Sequence, residues 1–522
     1  MPAGTKKELQ SFIGILREAF IPLLNITRLM AEINPKIPIP IYYQLKQLIK
    51  EQIEGGELQP GDQIPTEDEL CRRYGISRTP VRQALSDLVH EGLLVRTPGR
   101  GTFVAKVHPN SGSQDDHRLQ LIFSDVRWQE LIESAVLKLN KQSAGQSLSM
   151  NTLQIPLWDI HDALITAVGR GEAPDISVLD SVWVAEFAHQ RYLIPIDEVD
   201  PDWHASIQED YFPAMLAANR YRDHLYGIPV CGDVSVLWYR RDWFEAEGIA
   251  PPSTWDELVS AGRHFKNHTT RQRYGLSPYP LAFVGGRRGG ETTTYQLLPF
   301  LWSGGGELIA GDAVQLDSPA TRQALSFLRG LIHQERLAPP EVVEYTWNHS
   351  AEVFAAGEVA MALGGTYESF FIRENAGWEE DEFLSRVGFV PIPARAGGEP
   401  VTLVGGMNYV LYQQSQAIER SLAMLKMTVE PEIIKPFCVR TGQIPARISI
   451  AQELKREDAS FVTQTIPLLE KARSRPSIPG FARVSAQFRA LVEDCLTGRR
   501  SIDDAVSLTA EKISAVTDLP LG

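Results

Sequence analysis

Residues 65–104 read PTEDELCRRYGISRTPVRQALSDLVHEGLLVRTPGRGTFV, and this stretch decides how the amino-terminal part of the chain is understood. Thr66 with Glu69 three positions on makes a capping box, so a helix starts at about Glu67 and turns Leu70 and Tyr74 inward. Gly75 ends that helix and Ile76 plugs the turn. Ser77 caps the next helix, and Pro80 is tolerated because a first turn needs no backbone donors. Val81, Ala84, Leu85 and Leu88 then face a core, which leaves Arg78, Thr79, Arg82 and Gln83 outside, with the two arginines one turn apart. A hairpin over residues 93–104 carries Thr97, Pro98, Gly99, Arg100 and Gly101 at its tip. Working backward, Ile41, Leu45, Leu48, Ile49 and Ile53 recur at intervals of three and four, which predicts a helix closed by Gly55 and Gly56.

That outer face has the chemistry of a major-groove reader. Arginine bridges the edge of guanine with two donors, glutamine does the same for adenine, and the first residues of such a helix reach the bases. Glycines at a hairpin tip let backbone approach sugar-phosphate, and Arg100 suits a minor groove. Residues 36–106 hold ten Lys or Arg against nine Asp or Glu, so the charge balance alone says little. On this reading Glu67, Asp68, Glu69, Asp87 and Glu91 lie away from the basic face. The segment closely resembles the winged-helix domain of GntR-type transcription regulators, in particular the subgroup beginning P-I-Y-Y-Q-L, here residues 40–45. The resemblance implies that the helix opening S-R-T-x-V-R enters the major groove and that the G-R-G-T-F-V wing touches the minor groove. Arg78, Thr79, Arg82, Arg100 and Gly101 fall on those motifs. Thr66 stands where the family usually has Ser, keeping a cap and a hydroxyl for phosphate.

A chain of 522 residues with 43% hydrophobic content implies about three folding units with real cores. The net charge of −14 lies almost wholly outside residues 36–106. An acidic body excludes wrapping nucleic acid around the whole protein, but not binding through one basic face. Cys71, Cys231, Cys438 and Cys495 lack metal-ligand spacing and are expected to be free thiols in a reducing cytoplasm. The apolar residues 12–33 are broken by Arg17, Glu18, Pro22 and Arg28, so neither a secretory signal nor a membrane span is expected. Residues 1–35 are read as an extension, with Met30 as an alternative start.

Residues 107–117, VHPNSGSQDDH, have no periodicity and form a linker. Beyond it, strands at 119–124, 176–179 and 237–239 alternate with helices at 128–141 and 182–189, which predicts α/β lobes with largely parallel sheets. Further helix starts are marked by Thr254 with Glu257, by Ser318 with Pro319, and by Ser501 with Asp504. Residues 118–522 resemble the solute-binding proteins of sugar ABC transporters, the family of maltose- and trehalose-binding proteins. The marks are residues 174–197, 225–258 and 354–368, then VGFVPIP (387–393), LVGGMNYVL (403–411) and TGQIPAR (441–447). The resemblance implies two α/β lobes joined by crossings near 228–230, 363–365 and 404–406, with a sugar held between lobes that close as a hinge.

A pyranose needs aromatic plates for its C–H face and polar side chains for its hydroxyls. By the family's placement of contacts, the candidates are Asp180, Trp183, Asp233, Trp302, Tyr367, Gly405 and Gly406, with Trp128, Trp347, Arg287 and Glu291 behind them. Trp238, Trp243 and Trp255 are assigned to packing. The expected protein is a cytoplasmic, DNA-binding regulator, most simply a repressor, with a sugar or oligosaccharide as effector and a palindromic operator. It is expected to form a homodimer to which the large domain contributes, and to need no cofactor, metal or membrane. Two other classes fit the same features: a carbohydrate-active enzyme using Asp180 and Asp233 as a carboxylate pair, and a DNA-tethered binding protein for a peptide or other non-sugar ligand.

Overall fold

A computed structural model describes residues 41–54, 58–59, 61–90, 94–97, 101–104, 118–125, 127–142, 147–457 and 460–522. The chain divides into two compact units, Met1–Asp116 and His117–Gly522, a boundary inside the expected linker.

In the first unit, α1 (Ile41–Glu54), α2 (Glu67–Tyr74) and α3 (Arg78–His90) precede the hairpin β1 (Leu94–Thr97) and β2 (Gly101–Val104). The capping box of α2 is present in both directions, and Gly75 closes the helix at φ 66° with its N–H on Cys71. Leu45, Ile49, Leu70, Val81, Ala84, Leu85, Leu88, Leu94 and Val104 form one buried cluster, so the apolar spacing of each helix converges on a single core. Residues 61–64 lie against β2: Ile64 donates to the Thr102 carbonyl at 2.8 Å and Gly61 to that of Val104 at 2.9 Å. Gly55, Gly56 and Arg100 lie outside the described residues.

The second unit opens with β3 (Arg118–Phe123), α4 (Arg127–Gln142), β4 (Ser149–Gln154), α5 (Leu157–Gly169), β5 (Ile176–Asp180) and α6 (Ser181–His189). A long strand, β6 (Gly227–Arg240), follows and is buried along all 14 residues. Then come α7 (Trp255–Lys266), β7 (Leu281–Ala282), α8 (Glu291–Ser303), α9 (Pro319–His333), β8 (Met361–Gly365), α10 (Glu368–Ala376) and β9 (Val387–Val390). The chain closes with β10 (Val404–Leu411), α11 (Pro431–Thr441), β11 (Ile444–Pro445), α12 (Phe481–Leu496) and α13 (Ile502–Thr517). The expected caps of α7, α9 and α13 are formed by Thr254, Ser318 and Ser501.

The strands run in the order β4-β3-β5-β10-β6-β8-β7, with β9 and β11 also pairing with β6. The expectation of largely parallel sheets needs correction. Among the strands of the described residues, only β3 with β4 and β5, and β7 with β8, pair in parallel. Strand β10 is antiparallel to β5 and β6, and β8 and β9 are antiparallel to β6. The cause is β6 itself, which runs through both lobes. Its first half pairs with β10 as far as Val404↔Val234, and its second half pairs with β8 from Gly365↔Ser235. The change of partner at Val234–Ser235 is the lobe boundary, a few residues beyond the expected 228–230. Strand β10 begins at that boundary, as expected for 404–406. Strand β8 ends at the same boundary, Gly365 opposite Ser235, and the chain then runs beside Arg127 and Gly442 before β9 returns it to the second half of β6.

Candidate functional site

On the first unit, the inward face of α3 leaves Arg78 and Arg82 exposed, as the periodicity requires. Arg82 Nε donates to Glu67 Oε2 at 2.7 Å. This corrects the placement of Glu67 away from the basic face: it starts α2 and reaches across to the outer side of α3. The bond holds the Nε edge of the Arg82 guanidinium against the start of α2. The Thr66 backbone N–H and hydroxyl both donate to Glu69 Oε2 at 2.8 Å, which holds the Glu69 carboxyl below its ordinary range. Thr66 therefore acts as a cap here, and a phosphate contact requires its hydroxyl to turn away from Glu69. Gly101 has φ 118°, and a Cβ there would fall 2.7 Å from Gln63 Nε2, so the local backbone demands this glycine irrespective of DNA. The side chains of Thr79 and Gln83, like Arg100, lie outside the described residues.

On the second unit, the lobe boundary gathers the polar groups. Asp233 stands one residue before the partner change of β6 and opposite Gly405 of β10. It is only 9% exposed, and its carboxylate accepts one hydrogen bond, from the Tyr295 hydroxyl at 2.6 Å. Among the described residues no cation forms a salt bridge with it. Burial pushes its pKa up to about 6, against the lowering effect of Tyr295. A Cβ on Gly405 would come within 2.6 Å of Asp233 Oδ1, and one on Gly365 within 2.5 Å of the Tyr367 ring. The two glycines thus make room for Asp233, Tyr295 and Tyr367, whose tyrosine rings meet edge to face at 6.0 Å. Gly406, at φ 154°, continues the same close approach between β10 and β6.

Asp180 ends β5 and caps α6 through Val182 N–H at 3.0 Å. The buried Arg475 reaches Asp180 at 3.3 Å and Glu291, at the start of α8, at 3.5 Å. Glu291 also pairs with Arg489 and accepts from the Ser485 hydroxyl at 2.9 Å, both on α12. Asp180 and Glu291 are thus joined across the lobe boundary by one guanidinium. Trp183 is half-buried beside His161, whose pKa is raised by its hydrogen bond to Glu186. Trp302 is buried at the end of α8, with the Arg473 guanidinium 4.4 Å over its ring, so one stacking face is already covered.

Trp347 is exposed and meets Phe371 at 5.6 Å. Of the remaining candidates, Trp128 is core, packed on Tyr409 and Phe437, and Arg287 pairs with Glu493 and Asp494. Trp238, Trp243 and Trp255 are buried, as assigned.

Sequence reading missed Asp125, Arg127, Tyr295, Glu368 and Arg475. Asp125 and Arg127 follow β3 as Asp180 follows β5, at the carboxyl ends of parallel strands where ligands gather in open α/β sheets. That position was the available signal. Asp125 holds Arg127 at 2.8 Å, the guanidinium lies 4.9 Å from the Phe371 ring of α10, and its Nη1 is buried with no hydrogen-bond partner among the described residues. Glu368 is fully buried, accepts from Trp238 Nε1 at 3.1 Å and from Gly365 N–H at 3.2 Å, and has its pKa pushed up to about 8 by burial. Among the described residues no group of His, Cys, Asp and Glu is arranged to hold a metal, and no helix is long and apolar enough to cross a membrane.

Comparison with known proteins agrees with this fold. Residues 159–432, more than half the chain, match the family described as bacterial extracellular solute-binding protein. The chain belongs to that family. Residues 41–104 match the bacterial regulatory proteins of the gntR family, so a GntR-type helix-turn-helix domain is fused to a solute-binding domain. A Brucella abortus relative described as a binding protein is 23% identical over 378 residues, 72% of this chain and 87% of that protein. The transcriptional repressor NagR of Bacillus subtilis is 60% identical over 74 residues, 14% of this chain and 30% of that protein. Maltose-bound MalE3 of T. maritima shares the fold at a TM-score of 0.66 and 23% identity, covering 76% of this chain and 99% of that one. Neither matched family is one of enzymes, and the carbohydrate-active reading gains nothing from them.

Proposed function

We propose that the protein is a cytoplasmic transcription regulator whose affinity for a palindromic operator is set by a sugar or short oligosaccharide held between the lobes of its second unit. The observation that carries this reading is the buried Asp233 at the lobe boundary, with one hydrogen bond from Tyr295 and no salt bridge among the described residues, on the same chain as a GntR-type reader. A buried carboxylate with spare acceptor capacity suits a ligand hydroxyl. Arg127 offers a donor, and Tyr367, Phe371 and Trp347 offer ring faces and edges to a pyranose. Asp180, Trp183, Trp302, Gly405 and Gly406 complete the proposed ligand site. Thr66, Arg78, Thr79, Arg82, Gln83, Arg100 and Gly101 form the proposed DNA face.

Closure brings lobes together and changes operator affinity only if ligand favours one arrangement of the protein over another. As a repressor, the protein would release DNA when sugar binds. The relatives lend support: one is named a repressor, and one structure of the same fold holds maltose. The test is a thermal-shift screen of the full chain against mono- and oligosaccharides and against peptides. A sugar should raise the melting temperature of wild type, and that of Asp233→Ala only at about 10–150-fold higher concentration. Stabilisation by peptides alone would favour the non-sugar reading.

A further inference from the structure

The sheet of the second unit has two ends that differ in kind. At one end β7 is two residues long and buried. At the other, β4 runs for six residues, Ser149–Gln154, in unbroken parallel register with β3. Among the described residues nothing pairs with the side of β4 away from β3. Its last four residues, Asn151, Thr152, Leu153 and Gln154, are all exposed. An open edge of this length is normally blunted by lysine, proline or a bulge, since its free N–H and C=O groups template pairing with another chain. Here the sequence is SMNTLQ, with no charge and no proline, and the ladder has no bulge. Of the four large hydrophobic side chains most exposed among the described residues, two, Leu137 and Leu153, belong to the β3–α4–β4 unit.

We infer that β4 is the edge through which two copies of this chain pair, antiparallel about a two-fold axis. The inference rests on the regulator reading, because one recognition helix covers one half-site and a palindrome calls for two. A second copy fits this edge better than another partner for two reasons. Two-fold pairing sets the strand against itself, which tolerates no like charges opposite one another, and β4 has none. The geometry also suits the reader. Residues 107–117 deliver the chain to Arg118, the first residue of β3, which is the immediate neighbour of β4. In an antiparallel β4 pair the two copies of β3 lie three strand spacings apart, about 14 Å, and are offset by at most about 20 Å along the strands. The two entry points then fall about 25 Å apart. Half-sites are separated by about 34–36 Å, and each linker reaches up to about 36 Å when extended. Pairing at β4 therefore brings both readers within span of one operator.

The test uses the full chain in sedimentation velocity, with Thr152→Lys/Leu153→Lys and Thr152→Glu/Leu153→Glu as variants. Both positions are exposed, so folding is spared. Wild type should sediment as a dimer, and each variant alone as a monomer with dimerisation weakened at least 100-fold. An equimolar mixture of the two should recover the dimer, because lysine then faces glutamate. A variant dimer as tight as wild type would overturn the inference, as would a monomeric wild type. A mixture that stays monomeric would also overturn it, since the variants would then have lost the interface for another reason. A sugar that stabilises wild type should stabilise the monomeric variants equally, which separates failure of this interface from failure of the effector reading.

Discussion

The two units place their candidate side chains in opposite ways. In the first, Arg78 and Arg82 and the glutamate that orients Arg82 lie within residues 67–82, on two consecutive helices around one small core. In the second, Asp125, Asp180, Asp233, Tyr295, Tyr367 and Arg475 come from six separate places along some 350 residues and meet only because β6 runs through both lobes. A reader of DNA needs one rigid surface. A sensor needs groups divided between two bodies that can part and rejoin. The contrast predicts independence: substitutions in the cleft should leave operator binding in the absence of ligand unchanged, and those on α3 should leave ligand binding unchanged.

The strongest effect should come from the outer side of α3. Arg82→Ala should weaken operator binding by about 1–3 kcal/mol and relax preference at one base pair. Glu67→Gln should act in the same direction through loosened orientation of Arg82, by up to about 1 kcal/mol, as for an exposed pair. Fluorescence anisotropy against operators varied base by base checks both. Equal loss across all operators would make Arg82 a phosphate contact instead.

The next effect belongs to the cleft and is read by pH. Asp233 titrates at about 6 because burial penalises its charged form. A ligand hydroxyl donates to the carboxylate, so ligand affinity should be full above pH 6 and fall as pH drops through that value. In unfolding the sign is reversed: burial favours the protonated form, so this group's contribution to stability is lost as pH rises through about 6. Tyr295→Phe removes the one bond that lowers the value, and should move the binding midpoint upward by about one pH unit, about 1.4 kcal/mol. Calorimetric titration of the sugar between pH 5 and 8 is the measurement, and a pH-independent affinity would remove Asp233 from the site. A smaller effect concerns stability. Thr66→Ala breaks both arms of the α2 cap and should cost about 1 kcal/mol in thermal unfolding of the first unit, with sugar binding untouched.

How much was legible follows the same division. Local grammar carried the first unit: the capping box at Thr66, the left-handed Gly75 and the apolar stripe of α3 all lie within a few residues of what they determine. Glu67 was misplaced because its role depends on an angle between helices, which periodicity does not encode. In the second unit, caps and strand–helix alternation were visible, while the mixed sheet was not, since an apolar run such as that of β6 reads alike in either pairing direction. Asp233, Tyr367 and the glycine pair at 405–406 were reached through motif resemblance. Tyr295 and Arg475 were not, because a tyrosine in α8 or an arginine after residue 470 gains meaning only when the lobes bring it to Asp233 and Asp180.

Coupling between cleft and reader is reciprocal wherever it exists. The most direct measurement is operator affinity of the full chain titrated against the stabilising sugar, in wild type and in Asp233→Ala. Sugar should lower wild-type operator affinity with a midpoint at its own dissociation constant. The variant should bind operator as wild type does without sugar and need about 10–150-fold more sugar to respond, the equivalent of about 1.5–3 kcal/mol for a lost charge-assisted bond. An operator affinity that no stabilising sugar changes would exclude the coupling, and a variant responding at the wild-type midpoint would exclude Asp233 from it.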